Sequence, residues 1–358
     1  MTDSVDGIRW KIEELDNEIL DLIKKRMQAA LYMGGEKVRK GWPVRNIKVE
    51  EQVIERYLER AKEVGISESA AAEIATILIR ESVEAQGRMP RPGKPTDVLV
   101  IGGSGKMGHW FVRFLTERGH QVKVFDLAMC KAANKVSDLE ATVKESGMII
   151  LATPISATKD VLERVVSLKP KGTIFDISSI KAPVIPPARA AAEDGLEICS
   201  LHPMFGPDAD SIYNRNILVC DCGSLEATKK VTELLDGAGA RIITIPVEEH
   251  DELMSYVLGL SHAVNIAFFH TLAKAGIDIG KLDQASSTTF RSQASTSKRV
   301  ANESPDLYYE IQHLNPYSER CLELLREAVT DIEASAMDAD KKRFVEIMKE
   351  GKEFFGED

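Results

Sequence analysis

The chain has 358 residues, 44% hydrophobic and 28% charged, with 24 glycines and 14 prolines, which excludes collagen-like and wholly disordered chains and leaves room for two or three domains. A formal charge of -10 opposes non-specific binding to nucleic acid or to an anionic membrane, so any cationic site must be local. Five cysteines (Cys130, Cys199, Cys220, Cys222 and Cys321) are odd in number and form no CxxC pair, so neither a disulfide framework nor a metal centre is expected.

In chain order, the N-terminus MTDSVDGIRWKIEELD lacks the apolar run of a secretory signal. No stretch is expected to reach membrane-spanning length, and the expected location is cytoplasmic. Ile8, Ile12, Leu15, Ile19 and Leu22 recur at spacings of four and three, one stripe on a long helix that needs a partner surface. Arg26 and Lys37 fall on the extension of that stripe with Met33 between them, and cations placed there must find anionic partners or reach water. A second helix is expected after PVRNIKVEEQ and a third from Ser67 to about Gln86, capped by Ser67 or Ser69. On the third, the face of Ala71, Ile74 and Leu78 continues into Ser82 and Gln86, so hydrogen-bonding groups end an apolar stripe. Together with Arg9, Arg26, Lys37 and Glu50 they suggest a buried pocket for a small dianion.

The segment GRMPRPGKPT marks a boundary, giving a helical domain over residues 1–88 and a linker over 89–96. Beyond it DVLVIGG, QVKVFD, GMIILATP, GTIFDIS and LEICSLHP alternate with helical stretches, as the βαβ units of a parallel sheet require. This α/β portion is expected over 97–248, and an all-helical portion over 249–358.

Gly103, Gly105 and Gly108 stand in G-x-G-x-x-G spacing between a strand and a helix, with Lys106 and Met107 inside the motif. Such glycines allow a tight turn and let the backbone approach a pyrophosphate at the helix N-terminus, while Asp126, at the end of the next strand, meets a ribose hydroxyl. Asp126 is followed by Leu127 with no adjacent arginine, which favours NAD over NADP. The LATP stretch adds Thr153 and Pro154 at a strand's carboxyl end, where open α/β sheets place ligands. His202, read as lying in a Pro and Gly-rich loop, is the leading acid-base candidate, with Ser179 and Lys181 as groups that position it or the nicotinamide. In the helical C-terminal portion Arg291 and Arg299 can share one helix face, His250 stands at the start of a helix, and His262 lies beside an apolar stripe.

The stretch IRWKIEELDNEILDLIKKRMQAA, then Lys37, PVRNIKVEE and ESVEAQ, resembles the all-helical chorismate mutases across residues 5 to 88. The resemblance implies a site built between two interlocked chains, with Arg9 from the partner chain and Arg26 clamping carboxylates. It assigns Lys37 and Gln86 to the breaking ether oxygen, Glu50 to the substrate hydroxyl, and Ser82 to substrate binding. One position departs: the residue before Glu50, often Arg in that family, is Val49, so either Arg45 or Lys48 compensates or the mutase is weakened. The stretches GGSGKMG, DISSIK, LHPMFGPD, EEHDELM and RSQASTSKR resemble prephenate dehydrogenase across residues 97 to 358. This second resemblance makes His202 the group that accepts the ring hydroxyl of prephenate, with Ser179 beside it, and makes Arg299 a carboxylate-binding arginine with His262 lining the pocket. Together they imply an all-α mutase domain, a Rossmann-like NAD-binding domain and an all-α C-terminal dimerisation domain. They also imply a homodimer acting on chorismate and then prephenate, with tyrosine as an effector. The alternative reading is an arogenate dehydrogenase whose N-terminal helices form a regulatory or dimerisation module.

Overall fold

The computed structural model describes residues 4–89, 95–127 and 134–356. Cys130 and most of the expected linker fall outside them. The chain divides into two units, one comprising Met1–Thr153, Asp160–Ser178 and Pro187–Ile245, the other Pro154–Lys159, Ser179–Pro186 and Pro246–Asp358.

The first unit opens with α1 (Val5–Lys40), α2 (Ile47–Val64) and α3 (Glu68–Gly87). Each starts on a side chain that accepts an otherwise orphaned amide: Ser4 from Gly7, Asn46 from Val49, and Ser67 from Ala70. Gly41 and Gly65, both left-handed, end the first two. Because Asn46 is a cap, α2 begins inside the PVRNIKVEEQ segment rather than after it. At about 1.5 Å per residue α1 is roughly 54 Å long, and Ile8, Ile12, Leu15, Ile19 and Leu22 all lie exposed along it. Where α1 meets α3 the approach is close: a Cβ on Gly34 would stand 2.7 Å from the Gln86 side chain.

A seven-stranded sheet follows, in the order β2-β1-β3-β4-β5-β6-β7. Its elements are β1 (Asp97–Ile101), α4 (Lys106–Thr116), β2 (Gln121–Phe125), α5 (Leu139–Glu145), β3 (Met148–Leu151), α6 (Ile155–Ser167), β4 (Thr173–Asp176), α7 (Ile185–Glu193), β5 (Ile198–Pro203), β6 (Asn216–Asp221), α8 (Leu225–Leu235) and β7 (Arg241–Pro246). The pairings from β2 through β5 are parallel and β6 joins β5 antiparallel. The central strands are buried on both faces almost throughout, as a sheet covered on both sides demands. Trp110 anchors one layer, stacked on Phe114 at 4.9 Å with its indole N–H donated to the Ala209 carbonyl at 2.8 Å. The five strands expected from the sequence are present; β6 and β7 extend the sheet beyond them.

In the second unit α9 (Val247–Met254), a π-helical turn (Ser255–Leu260) and α10 (Ser261–Ala275) run on into α11 (Ile279–Gln284), α12 (Thr288–Ala301), α13 (Pro305–Leu314), α14 (Ser318–Met337) and α15 (Lys341–Phe355). Ile155, Ile180 and Ile311 form its apolar core with Leu258 and Leu314. Ser304 caps α13 and Pro305 opens it, the position where a missing N–H costs least. The run Val247–Ala275 corrects one expectation, since by length and composition this 29-residue helix is long and apolar enough to cross a membrane. Three shorter segments joined end to end make a length that no single apolar run in the sequence shows.

Candidate active sites

The first site lies where α1, α2 and α3 meet. Arg26 NH1 donates to Ser82 Oγ at 2.7 Å and to the Leu78 carbonyl at 2.8 Å, while Ser82 donates to that same carbonyl at 2.6 Å. One turn beyond, Gln86 is buried and its Oε1 has no partner. An unpaired buried amide oxygen is costly, so it marks a place where a ligand or water would be held. Lys37 Nζ donates to the Val44 carbonyl, and burial lowers its pKa, with nearby Glu50 opposing the shift. Glu50 is gripped by Arg45, whose Nε lies 3.1 Å from Oε1 and whose NH2 lies 3.1 Å from Oε2.

Arg26, Ser82, Gln86, Lys37 and Glu50 thus sit on three contiguous helices with mixed donors and acceptors, as a small polar dianion requires. Arg9 stands apart, exposed near the start of α1 and 3.5 Å from Asp6. Arg45 is committed to Glu50, Asn214 and the Gly239 carbonyl, and Lys48 is exposed.

The second site lies at the switch point of the sheet, where β1 pairs with β2 on one side and β3 on the other. Gly103, Gly105 and Gly108 form the turn into α4, with Gly105 as its N-cap. A Cβ on Gly108 would meet the Gly102 carbonyl oxygen at 2.2 Å, and one on Gly103 would meet Val124 at 2.7 Å. Gly102, which the spacing argument passed over, is left-handed (φ 84°) and would bring a Cβ within 2.4 Å of the Ala152 carbonyl. The Gly102–Gly103 doublet was the available signal. Asp126 Oδ2 accepts the Ser104 amide at 2.9 Å, which holds the acid beside the turn. Lys106 is exposed, Met107 packs on the core, and Thr153 follows β3. The cradle that side chains would fill, the helix N-terminus and the placed acid fit a dinucleotide.

His202 is buried within strand β5, paired across to Leu218 of β6. This corrects the loop assignment: the Pro and Gly residues that suggested a loop begin at its C-terminal edge. Ser200, two residues earlier and so on the same face, donates to Asp176, which also accepts the Ser178 amide at 2.9 Å.

In the second unit, Pro154 accepts the amides that start α6, and Ser179 is half-buried after β4. Lys181 is buried, and its backbone amide donates to Asp251, as does that of Ala182. Asp251, which holds the chain after β4 through these two amides, also faces His250 Nδ1 at 2.7 Å. His262 stacks on Tyr308 at 4.2 Å between ring centroids, and burial lowers its pKa to about 4. Its Nδ1 is buried without a partner. Arg299, exposed in the last turn of α12, acts electrostatically on Tyr308, so Arg299, Tyr308 and His262 belong to one neighbourhood. Ser297 and Gln293 both donate to Asn265 Oδ1, at 2.8 and 3.1 Å, and tie α12 to α10. Arg291 instead donates to Ser286 at the other end of α12.

The chain is similar to known proteins over most of its length. Residues 8–87 match the chorismate mutase type II family, 114–244 the nucleotide-binding domain of prephenate dehydrogenase, and 246–350 its dimerization domain. A T-protein of Enterobacter agglomerans is 26% identical over 360 residues, covering 100% of this chain and 94% of that protein. A probable arogenate/prephenate dehydrogenase of Methanocaldococcus jannaschii is 30% identical over 271 residues, 72% of this chain and 61% of that protein. In fold, the chain is similar to prephenate dehydrogenase from A. aeolicus solved with hydroxyphenyl propionate and NAD+, with a TM-score of 0.59 at 19% identity, covering 73% of this chain and 98% of that one.

An all-helical polar pocket fused to a dinucleotide-binding sheet and a helical domain defines a two-activity enzyme, an isomerase joined to an NAD-dependent oxidoreductase. The chain belongs to the family of bifunctional chorismate mutase/prephenate dehydrogenases. It converts chorismate to prephenate and oxidatively decarboxylates prephenate with NAD.

Proposed function

We propose that the two reactions are carried by the residues assigned above, over a helical domain at 1–88, an NAD-binding domain at 97–248 and a helical domain at 249–358. The observation that carries the mutase half is the buried, unpartnered Gln86 Oε1 one turn from the Arg26–Ser82 contact. Arg26, with Arg9 of a second copy, clamps the carboxylates through the planar fork that suits them. Lys37 Nζ and the Gln86 amide nitrogen donate to the ether oxygen where negative charge develops, and Glu50 accepts from the substrate hydroxyl. No nucleophile takes part; the rate comes from preorganised charge and orientation.

Gly103, Gly105, Lys106, Met107, Gly108, Thr153 and Pro154 hold NAD, with Asp126 on a ribose hydroxyl. Bound there, NAD supplies the hydride acceptor. His202 takes the proton of the prephenate ring hydroxyl as that carbon is oxidised, and Ser179 orients the hydroxyl. Loss of the ring carboxylate as CO2 then restores aromaticity. Arg299 pairs with a prephenate carboxylate and His262, neutral at neutral pH, lines the pocket. The exposed apolar stripe of α1 and the dimerization-domain match over 246–350 support a homodimer. Tyrosine, which resembles the product of the second reaction, is the candidate effector.

The second reading, arogenate as substrate with the helical domain as a module, draws on Val49 and on the commitment of Arg45 elsewhere. The two are separated by kcat/KM of the purified chain for prephenate against arogenate. Our reading expects prephenate to be preferred, and a preference for arogenate would overturn it.

A further inference from the structure

Glu50 is held by residues far from it in sequence. Tyr213 Oη, 163 positions away, donates to Glu50 Oε2 at 2.9 Å. Arg45, which grips the same carboxylate, also donates to Asn214 Oδ1 at 2.7 Å and to the Gly239 carbonyl at 3.3 Å, and lies 5.0 Å over the Tyr213 ring. Tyr213, Asn214 and Gly239 belong to the sheet domain, in the connection from β5 to β6 and in the segment before β7.

The clasp is built rather than incidental. Asn214 and Gly239 are both left-handed, with φ of 58° and 83°, and the Asn214 amide donates to the Gly239 carbonyl at 3.0 Å. A Cβ on Gly239 would meet Val83 at 2.8 Å and Tyr213 at 2.9 Å. Val44, Ile79, Val83 and Tyr213 form a buried apolar cluster, so the Tyr213 ring is anchored among residues of the mutase domain. All of these residues lie in the same compact unit. The Tyr213 hydroxyl is pushed up to about 12, chiefly by burial and then by Glu50, so it remains a donor throughout the working pH range.

We propose that Tyr213 is a positioning residue for the mutase reaction: the dinucleotide-binding domain fixes the Glu50 carboxylate that meets the substrate hydroxyl, so the mutase site is complete only when that domain is attached. The proposal rests on the reading of Glu50 as the hydroxyl's partner. Arg45 grips both oxygens of Glu50 from one side, and the phenol adds a second, independent donor to Oε2. The substrate hydroxyl is not a reacting group, so its contact is made alike in the ground and transition states.

The test is the full-length chain carrying Tyr213→Phe, which keeps the ring in the apolar cluster and removes only the hydroxyl. We expect KM for chorismate to rise about tenfold, the size of one hydrogen bond to a charged group, with mutase kcat and the rate on supplied prephenate both within about twofold. Glu50→Gln should lose more, and adding Tyr213→Phe to it should cost nothing further. If Glu50→Gln cripples the mutase while Tyr213→Phe leaves it intact, the positioning role is wrong though the Glu50 reading stands. If Glu50→Gln itself has no effect, that reading fails and takes the proposal with it. Independent losses in the double variant, or a parallel fall in prephenate oxidation, would show that Tyr213 acts by another route and overturn the proposal.

Discussion

Arg26 and Ser82 meet at 2.7 Å, guanidinium to hydroxyl, so that α1 and α3 are joined by a charged contact where the apolar stripe of α3 gives way to hydrogen-bonding groups. Both of the contacts Arg26 makes use the same terminal nitrogen, NH1, which leaves the rest of the fork for a carboxylate.

Replacing that fork should therefore separate the two activities. Arg26→Ala is expected to lower chorismate turnover by at least about 100-fold, as loss of a paired charge of a few kcal/mol requires, while oxidation of supplied prephenate stays within about twofold. Parallel assays of the two half-reactions on one preparation check this. Equal losses in both would mean that Arg26 serves the fold.

The glycine turn gives a graded prediction. Gly108→Ala forces a Cβ to 2.2 Å from the Gly102 carbonyl oxygen, whereas Gly105→Ala brings one only to 3.3 Å from it. Backbone against backbone cannot relax by a side-chain rotation, so Gly108→Ala should raise KM for NAD at least about tenfold and lower the melting temperature. Gly105→Ala should be milder in stability. NAD titrations and thermal melts of the two variants would contradict the account if the order were reversed.

The depressed pKa of His262 sets a pH dependence. Burial holds the ring neutral down to about pH 4, while the unfolded chain protonates near the ordinary 6.5. Between those values the unfolded state binds the extra proton, so stability rises with pH across the window, is fully present above about 6.5 and is lost as pH falls toward 4. His262→Gln, which does not titrate, should show a shallower fall in melting temperature from pH 7 to pH 5 than the parent chain. An identical fall in both would assign the acid limb to other groups.

The dehydrogenase roles predict a split in kinetic constants. His202→Asn should reduce kcat for prephenate by about two orders of magnitude or more, the usual contribution of a positioned base, with KM nearly kept. Arg299→Ala should chiefly raise KM. Steady-state kinetics with prephenate at saturating NAD distinguish the two, and small, equal effects in both variants would contradict the assignments.

What the sequence made legible follows from the range over which each signal acts. The period of Ile8, Ile12, Leu15, Ile19 and Leu22 marked α1, and that stripe lies exposed. The glycine spacing marked the turn into α4, because a local backbone constraint leaves a local trace. The placement of His202 was misread because a strand end and the loop after it share the residues LHPMFGP, and only the antiparallel partner β6 decides between them. Arg45 was weighed as a stand-in for the arginine absent at Val49. Besides Glu50, five positions on, it reaches Asn214 and Gly239, which lie 169 and 194 residues away, where no periodicity reaches. The membrane-spanning length of the Val247–Ala275 helix escaped because its apolar residues are spread along a long helical pattern and form no unbroken apolar run.

The most direct test of two working sites on one chain is to mix the purified protein with chorismate and NAD and follow NADH absorbance. NADH cannot form unless chorismate is first rearranged and the prephenate then oxidised, so the account predicts a steady signal after a short lag. No signal from chorismate, in a preparation that does reduce NAD when given prephenate, would contradict the mutase assignment and reduce the helical domain to a module.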